Sequence, residues 1–277
     1  MKTVSTLSEL FEARAVQSGP VGLVPTMGFL HQGHISLVEA ARSACRSVIA
    51  SIFVNPTQFG PSEDLATYPH DLPRDLAMLD QAGADLVWTP TADVMYPPGY
   101  QTWVTVDEMT LGLEGGMRPG HFKGVTTVVA KLFNATRPDR AYFGQKDAQQ
   151  AAVIRRMVQD LSYPIEIVVC PIVREPDGLA MSSRNTYLNP EQRRAATVLN
   201  RALQAANQAF DAGQRDANDL RRIMLSILEA EPLAKAQYVS CADPETLREI
   251  EGPVRRALLS MAVYIGKTRL IDNRILG

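Results

Sequence analysis

The chain has 277 residues, 45% hydrophobic and 21% charged, with a formal net charge of -2. That composition suits a folded protein of one large domain or two smaller ones, and its near-neutral charge gives no footing for a general nucleic-acid binder. Cys45, Cys170 and Cys241 lie far apart, with neither metal spacing nor a disulfide pattern, and no segment approaches the ~20 apolar residues of a membrane span, so a cytoplasmic protein with no membrane partner is expected.

Residues 3–17 predict a short helix capped by Thr6 or Ser5, with Leu7, Leu10 and Phe11 on one face. Residues 21–55 predict strand, glycine turn, helix and strand, the βαβ unit of parallel sheets. In open α/β sheets, ligands bind beyond the carboxyl ends of the strands, where helix N-termini point. Here that place carries Met27-Gly28-Phe29-Leu30-His31-Gln32-Gly33-His34, with two of the chain's four histidines. The loop over 55–64 leaves the end of the second strand, so Asn55 and Gln58 belong near the same place. A helix over about 72–82 and a strand at 84–89 follow. Residues 91–120 are irregular and rich in Pro and Gly, and admit a strand at 101–106; they read equally as a segment that closes over a ligand and as a plain surface loop.

A helix over 126–135 and a strand over 139–143 lead to Gly144-Gln145-Lys146-Asp147, which opens a helix over 147–160. This second strand-to-helix junction offers helix amides and a lysine to an anion. After a strand at 165–169, the loop over 173–185 brings Ser182, Ser183 and Arg184 together, a set that suits phosphate but also occurs as a helix cap. Beyond about 186 the texture changes to helices up to about 211 and over 216–230, then strands near 237–242, 258–265 and 268–272. The expected fold is α/β: a Rossmann-like parallel-sheet domain over 1–185, followed by a smaller α+β domain over 186–277 acting as lid or support.

The chain has no G-x-x-x-x-G-K-[ST], no G-x-G-x-x-G after the first strand and no G-x-S-x-G, which argues against P-loop, dinucleotide and nucleophile-elbow enzymes. What remains is H-x-G-H at a helix start, a later lysine and a Ser-Ser-Arg loop. Such groups bind phosphates and stabilise the charge that builds as an oxygen displaces pyrophosphate from an α-phosphorus. The chemistry implied is nucleotidyl transfer from ATP or a similar triphosphate. An adenylyltransferase that stops at its nucleotidyl product and a nucleotide-binding regulatory module are the alternatives.

M-G-x-L-H-x-G-H with the later M-S-S-R-N resembles the class I nucleotidyltransferase superfamily. More closely, PTMGFLHQGH, SIFVNPTQFG, RPGHFKGVTTVVAKLF, YFGQKDAQQ and DGLAMSSRN resemble, in order, the motifs of the pantoate–β-alanine ligase (pantothenate synthetase) family, and KTRLIDN matches more loosely. The resemblance implies a catalytic domain that binds ATP and pantoate. It implies ligation of pantoate to β-alanine through a pantoyl adenylate, with ATP as co-substrate, Mg²⁺ and a homodimer, in pantothenate and coenzyme A biosynthesis. By the same resemblance, His31 and His34 would contact the ATP phosphates, and Lys146 and Arg184 would grip them with Ser182 and Ser183. Gly144 and Asp147 would hold the ribose, with Val173 and Met181 near adenine and Met27 at the nucleotide as well. Gln58 and Gln150 would hydrogen-bond pantoate, Met27, Phe53 and Phe143 would pack on its methyl groups, and His121 would lie beside it. Asp75 is the acidic residue matched near the Mg²⁺. Segments 61–77 and 108–120 are expected to close when the adenylate forms. Two departures stand out: His70 follows Tyr68-Pro69 where the family has arginine, and Ala180 precedes Met181 where the superfamily has lysine, so that lysine's role passes to Lys146 and Arg184.

Overall fold

The computed structural model describes every residue except Ser62, so the part of the expected closing segment 61–77 that falls on Ser62 lies outside the described residues. Six strands form one parallel sheet: β1 (Lys2–Val4), β2 (Val21–Thr26), β3 (Ser47–Ile52), β4 (Leu86–Trp88), β5 (Arg140–Gly144) and β6 (Glu166–Cys170). Their spatial order is β1-β4-β3-β2-β5-β6. From β2 the chain builds outward on one side through β3, and it later returns to β2's other side with β5. The crevice between β2 and β5 is therefore the topological switch point.

Both faces of this sheet are covered, so its central strands read as continuous apolar runs. Successive residues of β2 serve opposite cores. Leu23 joins the cluster built with the helices Leu7–Ala15, His121–Thr136 and Ala148–Asp160. Val24 joins the cluster built with the helices Gln32–Ala44 and Leu72–Gln81. A third cluster fills a separate antiparallel sheet of β7 (Ala234–Ala242), β8 (Ala257–Ile265) and β9 (Thr268–Leu276), covered by the helices Val198–Asp211 and Ala217–Glu229. The protein is thus α/β with a parallel Rossmann-like sheet and a small C-terminal antiparallel sheet. Among the described residues, no helix is long and apolar enough to cross a membrane.

The structure departs from the sequence expectation at four places. The helix expected over 3–17 is a three-residue strand, β1, followed by Leu7–Ala15, with Thr6 and Glu9 forming a capping box. The strand expected at 101–106 is absent: Val104 instead donates its N–H to Thr127 Oγ1 (3.0 Å) and accepts from Thr126 Oγ1 (2.7 Å). The helix expected over 126–135 spans His121–Thr136, because Gly120 in the left-handed region (φ 84°) turns the chain into it directly after Pro119. The long helix up to 211 divides into Pro190–Ala195 and Val198–Asp211.

The helix His121–Thr136 also approaches the loop after β3. A Cβ on Gly124 would lie 2.4 Å from the carbonyl oxygen of Thr57 and 2.7 Å from the nitrogen of Gln58. Gly124→Ala is therefore expected to lower stability by about 1–3 kcal/mol, the usual cost of overpacking. A urea midpoint equal to wild type would show that the contact yields freely.

Candidate active site

The switch point opens into a cavity of about 240 Å³. It is lined by Met27, His31, His34, Phe53, Gln58, His121, Phe143, Gly144, Lys146, Asp147, Gln150, Val173, Met181, Ser182, Ser183 and Arg184. Of the residues singled out from sequence, only Asp75 lies elsewhere, beside a separate groove.

The first junction is held by hydrogen bonds that its own motif supplies. His31 is the N-cap of helix Gln32–Ala44, and its Nδ1 accepts the Gly33 N–H (3.1 Å). His34 Nδ1 in turn accepts the His31 N–H (3.3 Å), which completes a capping box made of two imidazoles. Gly33 leaves room for this fold-back, since a Cβ there would stand 2.9 Å from the His31 ring. With each Nδ1 accepting, the ring proton sits on Nε2. Burial, then the nearby Lys146 charge, lowers the His31 pKa to about 4. Burial, then His31 and Lys146, lowers that of His34 to about 3. Both rings are therefore neutral at pH 7, and among the described residues neither Nε2–H has a protein acceptor.

Asp75 turns its carboxylate to the backbone of the histidine turn. It is 1% exposed, and its two oxygens accept the N–H groups of Phe29 and Leu30, each at 2.7 Å. These bonds brace Phe29 at φ 49°, a non-glycine residue in the left-handed region. Among the described residues, no three His, Cys, Asp or Glu side chains converge on a metal position. That donor set does not make a protein-held Mg²⁺ site.

Asn55, buried at the start of the loop leaving β3, orients Gln58. Its Nδ2 donates to Gln58 Oε1 (3.0 Å) and to the Gly124 carbonyl (3.2 Å). Its Oδ1 accepts from the Thr57 hydroxyl (2.9 Å) and the Tyr96 hydroxyl (2.8 Å). With its oxygen held, Gln58 keeps its amide Nε2, 3.2 Å from Met27 Sδ, for the cavity. Both ring nitrogens of His121 have protein partners. Its Nδ1 donates to the Gln58 carbonyl (2.8 Å) and its Nε2 accepts from Arg118 (3.1 Å), so it positions both neighbours. Burial, then Arg118, lowers its pKa to about 4.

Three cations face the cavity, each beside a carboxylate. Arg184 is paired through two bonds with Asp64 (2.8 and 3.0 Å), and Arg118 with Glu63 (2.6 and 2.7 Å). Lys146 stands 3.9 Å from Asp147. Burial pushes the Glu63 and Asp64 pKa values up, but the arginine hydrogen bonds and charges outweigh it and hold both carboxyls below their ordinary range. The two serines differ: Ser182 Oγ accepts the Arg184 N–H (3.3 Å), while Ser183 Oγ donates to the Phe29 carbonyl (3.2 Å), tying this loop to the histidine turn. Sequence reasoning missed Arg118, Glu63 and Asp64. Arg118 stood within the quoted RPGHFKG segment, but its partner lies 55 residues away, a pairing no local pattern encodes. A second cavity of about 590 Å³ shares Arg118, Lys146, Asp147, Ser182 and Arg184 and extends to Tyr264 and Arg269 of the C-terminal sheet.

Residues 1–275 match the family model described as pantoate-beta-alanine ligase. A pantothenate synthetase from Roseiflexus sp. (strain RS-1) is 62% identical over 276 residues, covering 100% of this chain and 99% of that protein. Another, from Herpetosiphon aurantiacus, is 57% identical and covers 100% of both. The crystal structure of pantothenate synthetase from Thermus thermophilus superposes with a TM-score of 0.95 at 49% identity, covering 99% of each chain. The pantoate-beta-alanine ligase of Francisella tularensis, solved in complex with beta-gamma ATP and beta-alanine, gives 0.82 at 36% identity and covers 99% of this chain and 97% of that one.

The three buried histidines impose a pH dependence on stability. Their folded-state pKa values lie near 3 to 4, against an ordinary 6.5. Between those values the unfolded chain binds more protons than the folded one, so stability rises with pH through that window and is lost as pH falls from 6.5 toward 4. The melting temperature is expected to fall between pH 7 and pH 5, and His34→Asn should flatten that slope. A wild-type melting temperature constant over the same range would show that these rings titrate normally.

Proposed function

The chain belongs to the pantoate–β-alanine ligase family, and on that premise we propose that it condenses pantoate with β-alanine in two steps driven by ATP. In the first, a pantoate carboxylate oxygen attacks the α-phosphorus of ATP, the bond to pyrophosphate breaks, and pantoyl adenylate forms. In the second, the β-alanine amine attacks the acyl carbon, AMP leaves with the acyl C–O bond electrons, and the amine loses a proton as the amide forms. Neither step needs a covalent bond to the protein.

The observation that carries this reading is the placement of a neutral imidazole pair, a cation cluster and an oriented glutamine around one cavity. His31 and His34 each present an Nε2–H toward charge that grows on the phosphates in the transition state, and neutral donors fixed by their own helix need no reorganisation. Lys146 and Arg184 take the phosphates, with triphosphate oxygens replacing the Asp64 carboxylate at Arg184. Ser182 and Ser183 hold the loop that carries Arg184. Gly144 and Asp147 face the ribose, and Val173 and Met181 the adenine. Gln58 and Gln150 hold pantoate by its oxygens, while Phe53, Phe143 and Met27 give its methyl groups an apolar wall. Water exclusion by that wall also protects the acyl adenylate from hydrolysis.

Pyrophosphate release measured with ATP and pantoate, with and without β-alanine, tests the scheme. Pyrophosphate is expected in both cases and amide only with β-alanine. Pyrophosphate with no amide would favour an adenylyltransferase, and no pyrophosphate at all would sink the ligase reading. His34→Ala is expected to slow the adenylation step ~10²–10³-fold, the size of losing one transition-state donor. A single-turnover rate near wild type would make the ring purely structural.

A further inference from the structure

A dipeptide of β9, Asp272-Asn273, meets the loops on the Lys146 and Arg184 side of the cavity, both residues being buried. Adjacent residues on a strand point to opposite faces, so two neighbours can serve two different loops. Asn273 Nδ2 donates to the backbone carbonyls of Gln145 (2.9 Å) and Lys146 (2.8 Å), and its Oδ1 accepts from Gln145 Nε2 (3.0 Å). Asp272 takes two hydrogen bonds from Arg174 (2.7 and 2.9 Å). The same guanidinium donates to the Gly178 carbonyl (3.0 Å), inside the turn that leads to Met181 and Arg184. An Arg174–Ala180 bridge closes that turn.

Three hydrogen bonds from one buried side chain to one short turn fix its backbone tightly. The turn carries Lys146, whose ammonium has only a loose 3.9 Å contact with Asp147 among the described residues. Where that ammonium stands is therefore decided by where the backbone of residues 145–146 is held. We propose that Asn273 is a positioning residue for the nucleotide: it sets Lys146 against the phosphates, while Asp272, acting through Arg174, fixes the loop that bears Arg184. The C-terminal sheet thereby sets the spacing between two cationic grips that follow different strands of the parallel sheet. This inference rests on Lys146 as a phosphate ligand.

Asn273→Asp keeps the shape and the acceptor for Gln145 but removes both donors. The full-length variant is expected to raise KM for ATP ~10- to 100-fold, the scale of a misplaced contact, with KM for pantoate within about two-fold of wild type by the same reasoning of locality. In a Lys146→Ala background it should add nothing, because both changes act through one ammonium. ATP and pantoate constants that move together, or effects that multiply in the double variant, would mean a general structural role and overturn the proposal. An Asn273→Asp variant normal for ATP beside an impaired Lys146→Ala variant removes this proposal alone. A Lys146→Ala variant normal for ATP removes the reading of Lys146 and this proposal with it. If Asn273→Asp does not fold, Asn273→Ser is read by the same split.

Discussion

The first turn of a helix has N–H groups with no partner inside the helix. At Gln32–Ala44 the chain meets that requirement with the Nδ1 atoms of His31 and His34. Much else depends on this cap. It fixes the tautomer of both rings and points the remaining proton outward. It buries the rings at a place where Lys146 also disfavours protonation, so they stay neutral. It demands a tight approach at position 33, which only glycine allows. The turn before the cap is then held from two sides, by Asp75 on the N–H groups of Phe29 and Leu30 and by Ser183 on the Phe29 carbonyl. The two imidazole donors that face the cavity are thus held rigidly by the fold itself, the condition under which hydrogen bonds contribute most to a transition state.

The ion pairs around the cavity divide by burial into two kinds. Arg118–Glu63 and Arg184–Asp64 keep 16–30% of each side chain exposed at the cavity wall, so a carboxylate released from its arginine still meets water. Their arginines can exchange a carboxylate for a more highly charged phosphate without large loss to the fold. Arg174–Asp272 is different, because the carboxylate is buried and removing its partner would strand a charge. Glu114 with Arg269 is of the same buried kind, reinforced by the Tyr238 hydroxyl (2.8 Å). The pairs with part-exposed carboxylates therefore face the cavity, and the buried pairs fasten the C-terminal sheet behind it.

What could be read from the sequence was what local spacing encodes. H-x-G-H is legible because cap, glycine and rings fall within four residues, and the alternation of apolar runs with helical stripes marks the parallel sheet. Sixteen of the seventeen residues singled out, most of them through the family resemblance, line one cavity, because the matched motifs gather around the switch point of the sheet. What the sequence leaves unseen involves partners distant in it. Asp75 is matched to the metal by resemblance alone, and its acceptors meet backbone groups 45 and 46 residues away. The segment around Val104 alternates as a strand does, but helix hydroxyls satisfy its backbone. β1 is too short to show alternation, and pairing with β4 alone defines it. His121 carried the chemistry of a ligand contact, and only the fold shows both of its nitrogens taken.

The same distance effect explains why the sequence suggests no more for the C-terminal domain than a lid or support. β9 is an edge strand, paired with β8 alone. Edge strands left open invite pairing with other chains, and proteins cover them with loops or helices. Here the strand packs against the turn Gln145–Asp147 and the turn Ser183–Tyr187, the two that carry Lys146 and Arg184. One strand therefore meets both cation-bearing turns. A polar side chain buried there must find partners, and the groups it meets are the carbonyls of the very turn whose position matters. Asn273, with two donors and one acceptor on a flat amide, satisfies that turn and itself at once.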